Sequence, residues 1–424
     1  MNSNKKKVFV IDPPSQCPLR SLDASKIRNY FSINNYIISD SLDDVDYIVY
    51  VTCSVSPQDV VNSIKTIKEL KQHKAQLIVA GCMPGANLEE LREIYDGPAI
   101  ATKNIEEIDK FFPDFRIKFN QTPEPHTYNY AEMDETIFYT KHDYYSLSSL
   151  LKNYGLSETF FRKRARLNDY KKFLKDNQGY NTDDKCFILI GYGCTNNCAY
   201  CNIRRAVGTI KSKPIEDIVK EYKELLENGN RIFHFLADDI SSYGMDFKSS
   251  LNELLDTLSK TDKGYHVKWS LHGMNPGWIV NNQEFLMPYI RTKKVWDITI
   301  AMESGSDRII KLMNRHYIVN EVQDTLKSFR KINPGLRIDG LFFVGFPTET
   351  EKDFNETLNF VKNIRFDNAR VTYYYEFDYL PAAKLFPKVS PEEMKRRIAI
   401  MENLLYKQKV DSLYLAHKNN PHSL

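Results

Sequence analysis

CFILIGYGCTNNCAYC, residues 186–201, decides how the rest of the chain is read. Its first part, CFILIG (186–191), is a short apolar run. Its second part carries Cys194, Cys198 and Cys201 at C-x3-C-x2-C spacing. An apolar run of this length bounded by glycine reads as a buried strand, so the cysteines directly follow a strand end. Structural zinc and most iron–sulfur clusters take four protein ligands, and here there are three. Soft thiolates select iron–sulfur clusters or zinc. Three of them hold three irons of a cubane and leave the fourth iron open to an exogenous ligand. Zinc needs a fourth protein ligand, for which His234 is the next histidine along the chain. Simple buried cysteines are the third reading.

Outward from this stretch the chain alternates. RIFHFLAD (231–238), VKWSL (267–271), VWDITIA (295–301), LRIDGLFFVG (336–345) and RVTYYY (370–375) are further strand-length runs, with amphipathic helical patterns between them. In IEDIVKEYKELLENG, Ile215, Ile218, Tyr222, Leu225 and Leu226 share one face, and Gly229 suits a C-terminal cap. Six strand–helix units with right-handed crossovers predict a partial (β/α)6 barrel, open on one side, with its chemistry at the C-terminal strand ends. The first hundred residues alternate as well. VFVID (8–12), DYIVYVTC (46–53) and QLIVAGC (76–82) read as strands of an open parallel sheet, with helices on its faces. Cys53 and Cys82 then stand at strand ends, and Cys17 lies five residues past another. Such ends line one crevice, so these three dispersed thiols are expected to converge. Burial in a core is the alternative for each of them taken singly.

The expected organisation is therefore α/β throughout. Residues 1–112 form an open parallel-sheet domain and 113–183 a linker or insertion with some helix. Residues 184–400 form the partial barrel, and 401–424 a C-terminal helix and tail. Within 113–183, the tyrosine-rich stretch 127–145 and the FRKRAR run (161–166) stand out. The basic run suits an acidic partner or a solvated helix face. A net charge of +3 over 424 residues does not call for nucleic acid. The start, MNSNKKKVFVID, is too short in apolar residues for a signal peptide, and no stretch approaches the ~18 apolar residues of a membrane span. A cytoplasmic location with no membrane partner is expected, where seven cysteines are metal-bound, reactive or buried rather than paired.

VTCS (51–54), AGCMP (80–84) and the 194–201 triad together resemble the radical S-adenosylmethionine (SAM) methylthiotransferase family. SYG (242–244), MNP (274–276), ESGSDRIIKLMNRHY (303–317), GFPTETEKDF (345–354) and LPAA (380–383) add to the resemblance, which covers roughly residues 6–110 and 184–400. Tyr200, before the last cysteine of the triad, also fits the pattern. The resemblance implies two 4Fe-4S clusters. Cys194, Cys198 and Cys201 would hold one, whose open iron takes SAM, and Cys17, Cys53 and Cys82 a sulfur-donating one. It further implies insertion of a methylthio group at an unactivated C–H, with a flavodoxin or ferredoxin as electron donor. Candidate SAM contacts are Tyr200, Asp238, Asp239, Glu303, Ser304 and the backbone at Gly345 and Phe346. Arg205 and Arg315 offer a fork to the SAM carboxylate. Glu303 also reads as a charge at a helix N-terminus, and either arginine as a structural ion pair.

Two departures stand out. The family carries Gly-Cys with asparagine three residues later, whereas this chain has QCPLRSLD (16–23), with Gln16 and Arg20 at those positions. The family closes with a small β-barrel that grips RNA or ribosomal protein, whereas residues 392–424 read as a long helix and polar tail. A peptide or small-molecule substrate is therefore expected before transfer RNA. A non-catalytic metal-binding scaffold is the reading from another class.

Overall fold

A computed structural model of the chain describes residues 5–14, 17–127 and 186–419. The tyrosine-rich stretch (beyond Thr127), the FRKRAR run and Gln16 lie outside the described residues. Five strands open the chain: β1 (Lys7–Ile11), β2 (Ile37–Ile38), β3 (Tyr47–Thr52), β4 (Gln76–Gly81) and β5 (Ala99–Ala101). They form one parallel sheet in the order β2-β1-β3-β4-β5. β1, β3 and β4 are the strands the pattern predicts. β2 and β5, at two and three residues, are too short for any period to register.

Both faces of this sheet are covered. Val8, Val10, Val49, Val51 and Ile78 pack under Ile27, Tyr30 and Phe31 of the helix Pro18–Ile33. Ile48, Tyr50, Leu77 and Val79 pack under Val60, Ile67 and Leu70 of the helix Pro57–Leu70. Double coverage is why these strands read as continuous apolar runs. The order reverses between β1 and β3, so a crevice opens there at the C-terminal strand ends. Cys17 follows β1 and Cys53 follows β3.

β6 (Cys186–Leu189) leads into an antiparallel ribbon of β7 (Gly191–Tyr192) and β8 (Lys211–Ser212). Then come β9 (Ile232–Leu236), β10 (Lys268–Met274), β11 (Val295–Glu303), β12 (Arg337–Val344) and β13 (Asn368–Tyr373). Apart from the ribbon these make a second parallel sheet, ordered β13-β12-β11-β10-β9-β6. Among the described residues no pairing joins β13 to β6, so the sheet stays open as six units require.

The two faces of this sheet differ. Ile298, Ile300, Met302, Ile338, Phe342 and Val344 are at most 1% exposed. Each contributes about 1.5–3 kcal/mol through burial. The opposite face is polar. Ser270 donates to Asp297, His234 and His272 share a hydrogen bond of 3.0 Å, and Arg337 lies 3.1 Å from Asp339 and 3.5 Å from Asp297. Burial pushes the Asp297 carboxyl up to about 6, against the pull of Arg337. The folded chain therefore keeps a proton that the unfolded chain has released, and stability falls as pH rises through that window. Relative to Asp297→Asn, the wild type is expected to lose about 1–3 kcal/mol between about pH 4 and pH 7. Urea titrations of both proteins across pH measure this, and a flat difference would contradict it.

The last described helix, Pro391–Asn419, begins one residue before the helical run read from residue 392 and crosses the domain boundary expected at 401. It packs along β13 and the helix Glu351–Ile364. Arg397 and Glu349, 4% and 5% exposed, meet at 2.6 Å, and Glu349 also accepts from the Gly345 N–H at 2.7 Å. Arg397→Ala would strand that buried carboxylate, an expected loss of about 3–5 kcal/mol. The urea midpoint of the variant checks it.

Candidate functional site

Cys194 sits just past the β7 strand, on a loop held from below by two consecutive carboxylates after β9. Asp238 Oδ2 accepts from the Gly193 N–H at 2.8 Å. Gly193 takes φ +84, and a Cβ there would lie 2.1 Å from the Thr209 carbonyl oxygen, so only glycine fits. Asp239 Oδ2 accepts from Asn196 Nδ2 at 2.6 Å and from Ser242 Oγ at 2.7 Å, with the Cys194 thiol 3.5 Å away. Both aspartates thus shape the triad loop itself. Burial, then Asp239, push the Cys194 thiol up to about 12. Cys201 is pushed up to about 11, chiefly by burial, with Cys198 close enough to add to the shift.

Beside Cys198 stands a second group of predicted residues. Arg315 Nη1 is 3.6 Å from Cys198 Sγ and donates to Tyr200 Oη at 3.1 Å, and its Nη2 donates to the Ala301 carbonyl at 2.7 Å. Glu303 Oε1 lies 3.7 Å from Arg315, and Tyr200 and Arg315 both act to lower the Glu303 carboxyl. A β-bulge falls between Ala301 and Glu303, and Glu303 takes φ +64. Bulges re-aim side chains, and a strained non-glycine residue at a strand end belongs to functional sites more than to scaffolds. Burial raises the Glu303 carboxyl and Arg315 lowers it.

The other expected SAM contacts are placed differently. Ser304 is fully buried, its Oγ accepting from the Ser306 N–H at 3.2 Å, and Phe346 is a core side chain edge-on to Tyr374. Gly345, at φ +81, backs onto Met394, whose Cγ a Cβ would meet at 2.3 Å. Arg205 stacks on the Tyr379 ring at 4.2 Å.

The dispersed cysteines also come together. Thr52 Oγ1 donates to the Ala80 carbonyl at 2.7 Å and accepts from the Met83 N–H at 3.1 Å, which locks the ends of β3 and β4 side by side. Cys53 and Cys82 follow those ends, and both Cys53 and Cys17 are near enough for their charges to raise the Cys82 thiol. Burial is the larger cause and brings that thiol to about 12, against the pull of Arg20. Cys17 occupies the N-cap of the helix Pro18–Ile33.

The two sets face one another. Asn202, next to Cys201, donates to the carbonyl of Ser54, next to Cys53, at 2.9 Å. The Tyr379 hydroxyl donates to Asn202 at 2.8 Å. Below this, Gly85 meets the helix Ile203–Val207, where a Cβ would lie 2.7 Å from Ala206 Cα. Sequence reading missed Asn202 and Asn196, because a lone polar residue beside a motif carries no periodic signal.

Among the described residues, no group of three or more Cys, His, Asp or Glu side chains is placed to hold a single metal ion. The residues present nevertheless fit iron–sulfur clusters. Each set offers three soft sulfur donors, and His234, the fourth ligand zinc would need, is 2% exposed and engaged with His272.

The profile described as "Radical SAM superfamily" matches residues 188–361, and that of "Uncharacterized protein family UPF0004" matches residues 16–101. A tRNA-2-methylthio-N(6)-dimethylallyladenosine synthase of Thermosipho africanus is 27% identical over 391 residues, 92% of this chain and 81% of that protein. A ribosomal protein uS12 methylthiotransferase RimO of Citrifermentans bemidjiense is 29% identical over 389 residues, 90% of this chain and 77% of that one. The chain belongs to the radical SAM methylthiotransferase family. The solved radical S-adenosylmethionine methyltransferase TsrM of Kitasatospora setae matches with a TM-score of 0.55 at 10% identity, over 89% of this chain and 74% of that one. That likeness concerns the fold alone. As a radical SAM methylthiotransferase the enzyme is expected to use SAM and 4Fe-4S chemistry. No helix among the described residues is long and apolar enough to cross a membrane.

Proposed function

We propose that this enzyme installs a methylthio group, or sulfur, at an unactivated C–H. Cys194, Cys198 and Cys201 would hold a SAM-binding 4Fe-4S cluster, and Cys17, Cys53 and Cys82 an auxiliary one. The observation that carries the reading is the facing arrangement of the two cysteine sets across the Asn202–Ser54 hydrogen bond. Clusters bound there would supply reductive cleavage of SAM on one side and sulfur on the other. The chain's own residues do the positioning. Arg315 would offer its remaining N–H groups, Nε among them, to a carboxylate, while Glu303, 3.7 Å from Arg315, would accept from an ammonium or from hydroxyls. Asp238 and Asp239 keep the Cys194 loop in place. Burial of Cys82, Asn202 and Ser54 keeps water from the space between the sets.

A peptide or small molecule is the proposed substrate, with a flavodoxin or ferredoxin as reductant and residence in the cytoplasm. After β13 the described residues continue as a turn and the Pro391–Asn419 helix, which packs on the barrel's own strands. Transfer RNA is the second reading, favoured by the naming of the Thermosipho africanus relative. Turnover with candidate substrates under anaerobic reduction, followed by mass spectrometry, tests the proposal. A gain of about 46 Da, for H replaced by SCH3, is the expected product of this chemistry. SAM cleavage without any sulfur gain in peptides, small molecules or transfer RNA would overturn it.

A further inference from the structure

Arg20 is 1% exposed, and among the described residues none of its three side-chain nitrogens has a hydrogen-bond partner. A guanidinium carries five N–H donors. Leaving them unaccepted in a buried site is costly, so the position calls for an acceptor. Its charge is offset by two carboxylates. Asp23 Oδ2 lies 3.0 Å from Nε and Asp238 Oδ1 lies 3.9 Å from Nη2. Neither contact has hydrogen-bond alignment, since the arginine nitrogens and Asp23 Oδ2 all stay without a bond. The Tyr192 ring, 5.7 Å from the guanidinium carbon, covers another side.

The Cys17 and Cys82 thiols also lie within electrostatic reach of Arg20. Helix geometry explains the placement. Cys17 is the N-cap of the helix Pro18–Ile33, and its carbonyl accepts the Ser21 N–H at 2.9 Å. Arg20, three residues on, therefore returns to the same side of the first turn. An iron–sulfur cluster on three thiolates presents anionic, hydrogen-bond-accepting sulfurs, and its potential depends on net charge and on such bonds.

We propose that Arg20 hydrogen-bonds and charge-compensates the cluster held by Cys17, Cys53 and Cys82, and thereby raises its reduction potential. The proposal rests on the two-cluster reading above. The same guanidinium contacts Asp238, which holds Gly193 beside Cys194. Its charge thus acts on Cys17 and Cys82 while its Nη2 stands 3.9 Å from the carboxylate that holds the loop of the other set.

The test uses the full chain with Cys194, Cys198 and Cys201 replaced by alanine, reconstituted anaerobically so that only the auxiliary site can be loaded. Dithionite supplies one electron to the oxidised cluster, and the midpoint is read by electron paramagnetic resonance. Arg20→Gln is expected to lower the midpoint by about 60 mV, a tenfold change in a one-electron equilibrium. Arg20→Lys, which keeps the charge but not the fork, is expected to fall between. If Arg20→Gln binds no iron, Arg20→Lys carries the measurement. Full iron with an unchanged midpoint in the variants overturns the role of Arg20 alone. Loss of iron from both variants with the fold intact also overturns it, because Arg20 would then hold the cluster instead of tuning it. Absence of iron from the parent protein, with Arg20 in place, overturns the two-cluster reading itself.

Discussion

Replacing Cys194, Cys198 and Cys201 together by alanine is expected to abolish formation of 5′-deoxyadenosine from SAM. It should also halve the iron of the reconstituted enzyme, from about eight to about four per chain. The loss should exceed about a thousandfold, since on the proposed reading the cluster held by this triad delivers the electron to SAM. The fold should survive. The loop carrying these thiols keeps the Asp238–Gly193, Asn196–Asp239 and Ser242–Asp239 hydrogen bonds, and of the Asp239 contacts only that of the Cys194 thiol is lost. Circular dichroism and a urea midpoint near that of the wild type would separate loss of chemistry from loss of structure. Retention of 5′-deoxyadenosine formation in the variant would exclude this triad as the site of SAM cleavage.

The second large effect is of a different kind. With Cys17, Cys53 and Cys82 all replaced by alanine, 5′-deoxyadenosine should still form, while the methylthiolated product falls below detection. Iron should again fall by about four per chain. The two triads occupy separate sheets, the barrel set after β7 and the auxiliary set after β1, β3 and β4. One can therefore be emptied without unmaking the other. Cys53 and Cys82 are 1% and 3% exposed, so some destabilisation accompanies their loss. The decisive reading is the ratio of the two products, which a purely structural defect would leave unchanged. Iron that stays near four in both wild type and variant would remove the second cluster from the mechanism.

Much of this was legible in the residues. Six apolar runs after residue 186 and three before residue 82 became strands within a few residues of their predicted ends, because doubly covered parallel strands are continuously apolar. The C-x3-C-x2-C segment was legible as a ligand set because its spacing is local. Arg315 and Glu303 were readable as candidates from their place after a strand, but so was Arg205. Sequence position alone had no means of telling a guanidinium beside Cys198 from one stacked on Tyr379.

The sequence by itself determined the α/β architecture, the family and the six thiols worth asking about, since periodicity and short spacings are properties of neighbours along the chain. Only the tertiary structure decided that Cys53 and Cys201 are next-door neighbours through Ser54 and Asn202, and that Arg20 lies buried between the sets. Those contacts join residues more than a hundred positions apart. They exist because two independently patterned sheets pack with their C-terminal strand ends toward one another, and no local pattern encodes that packing.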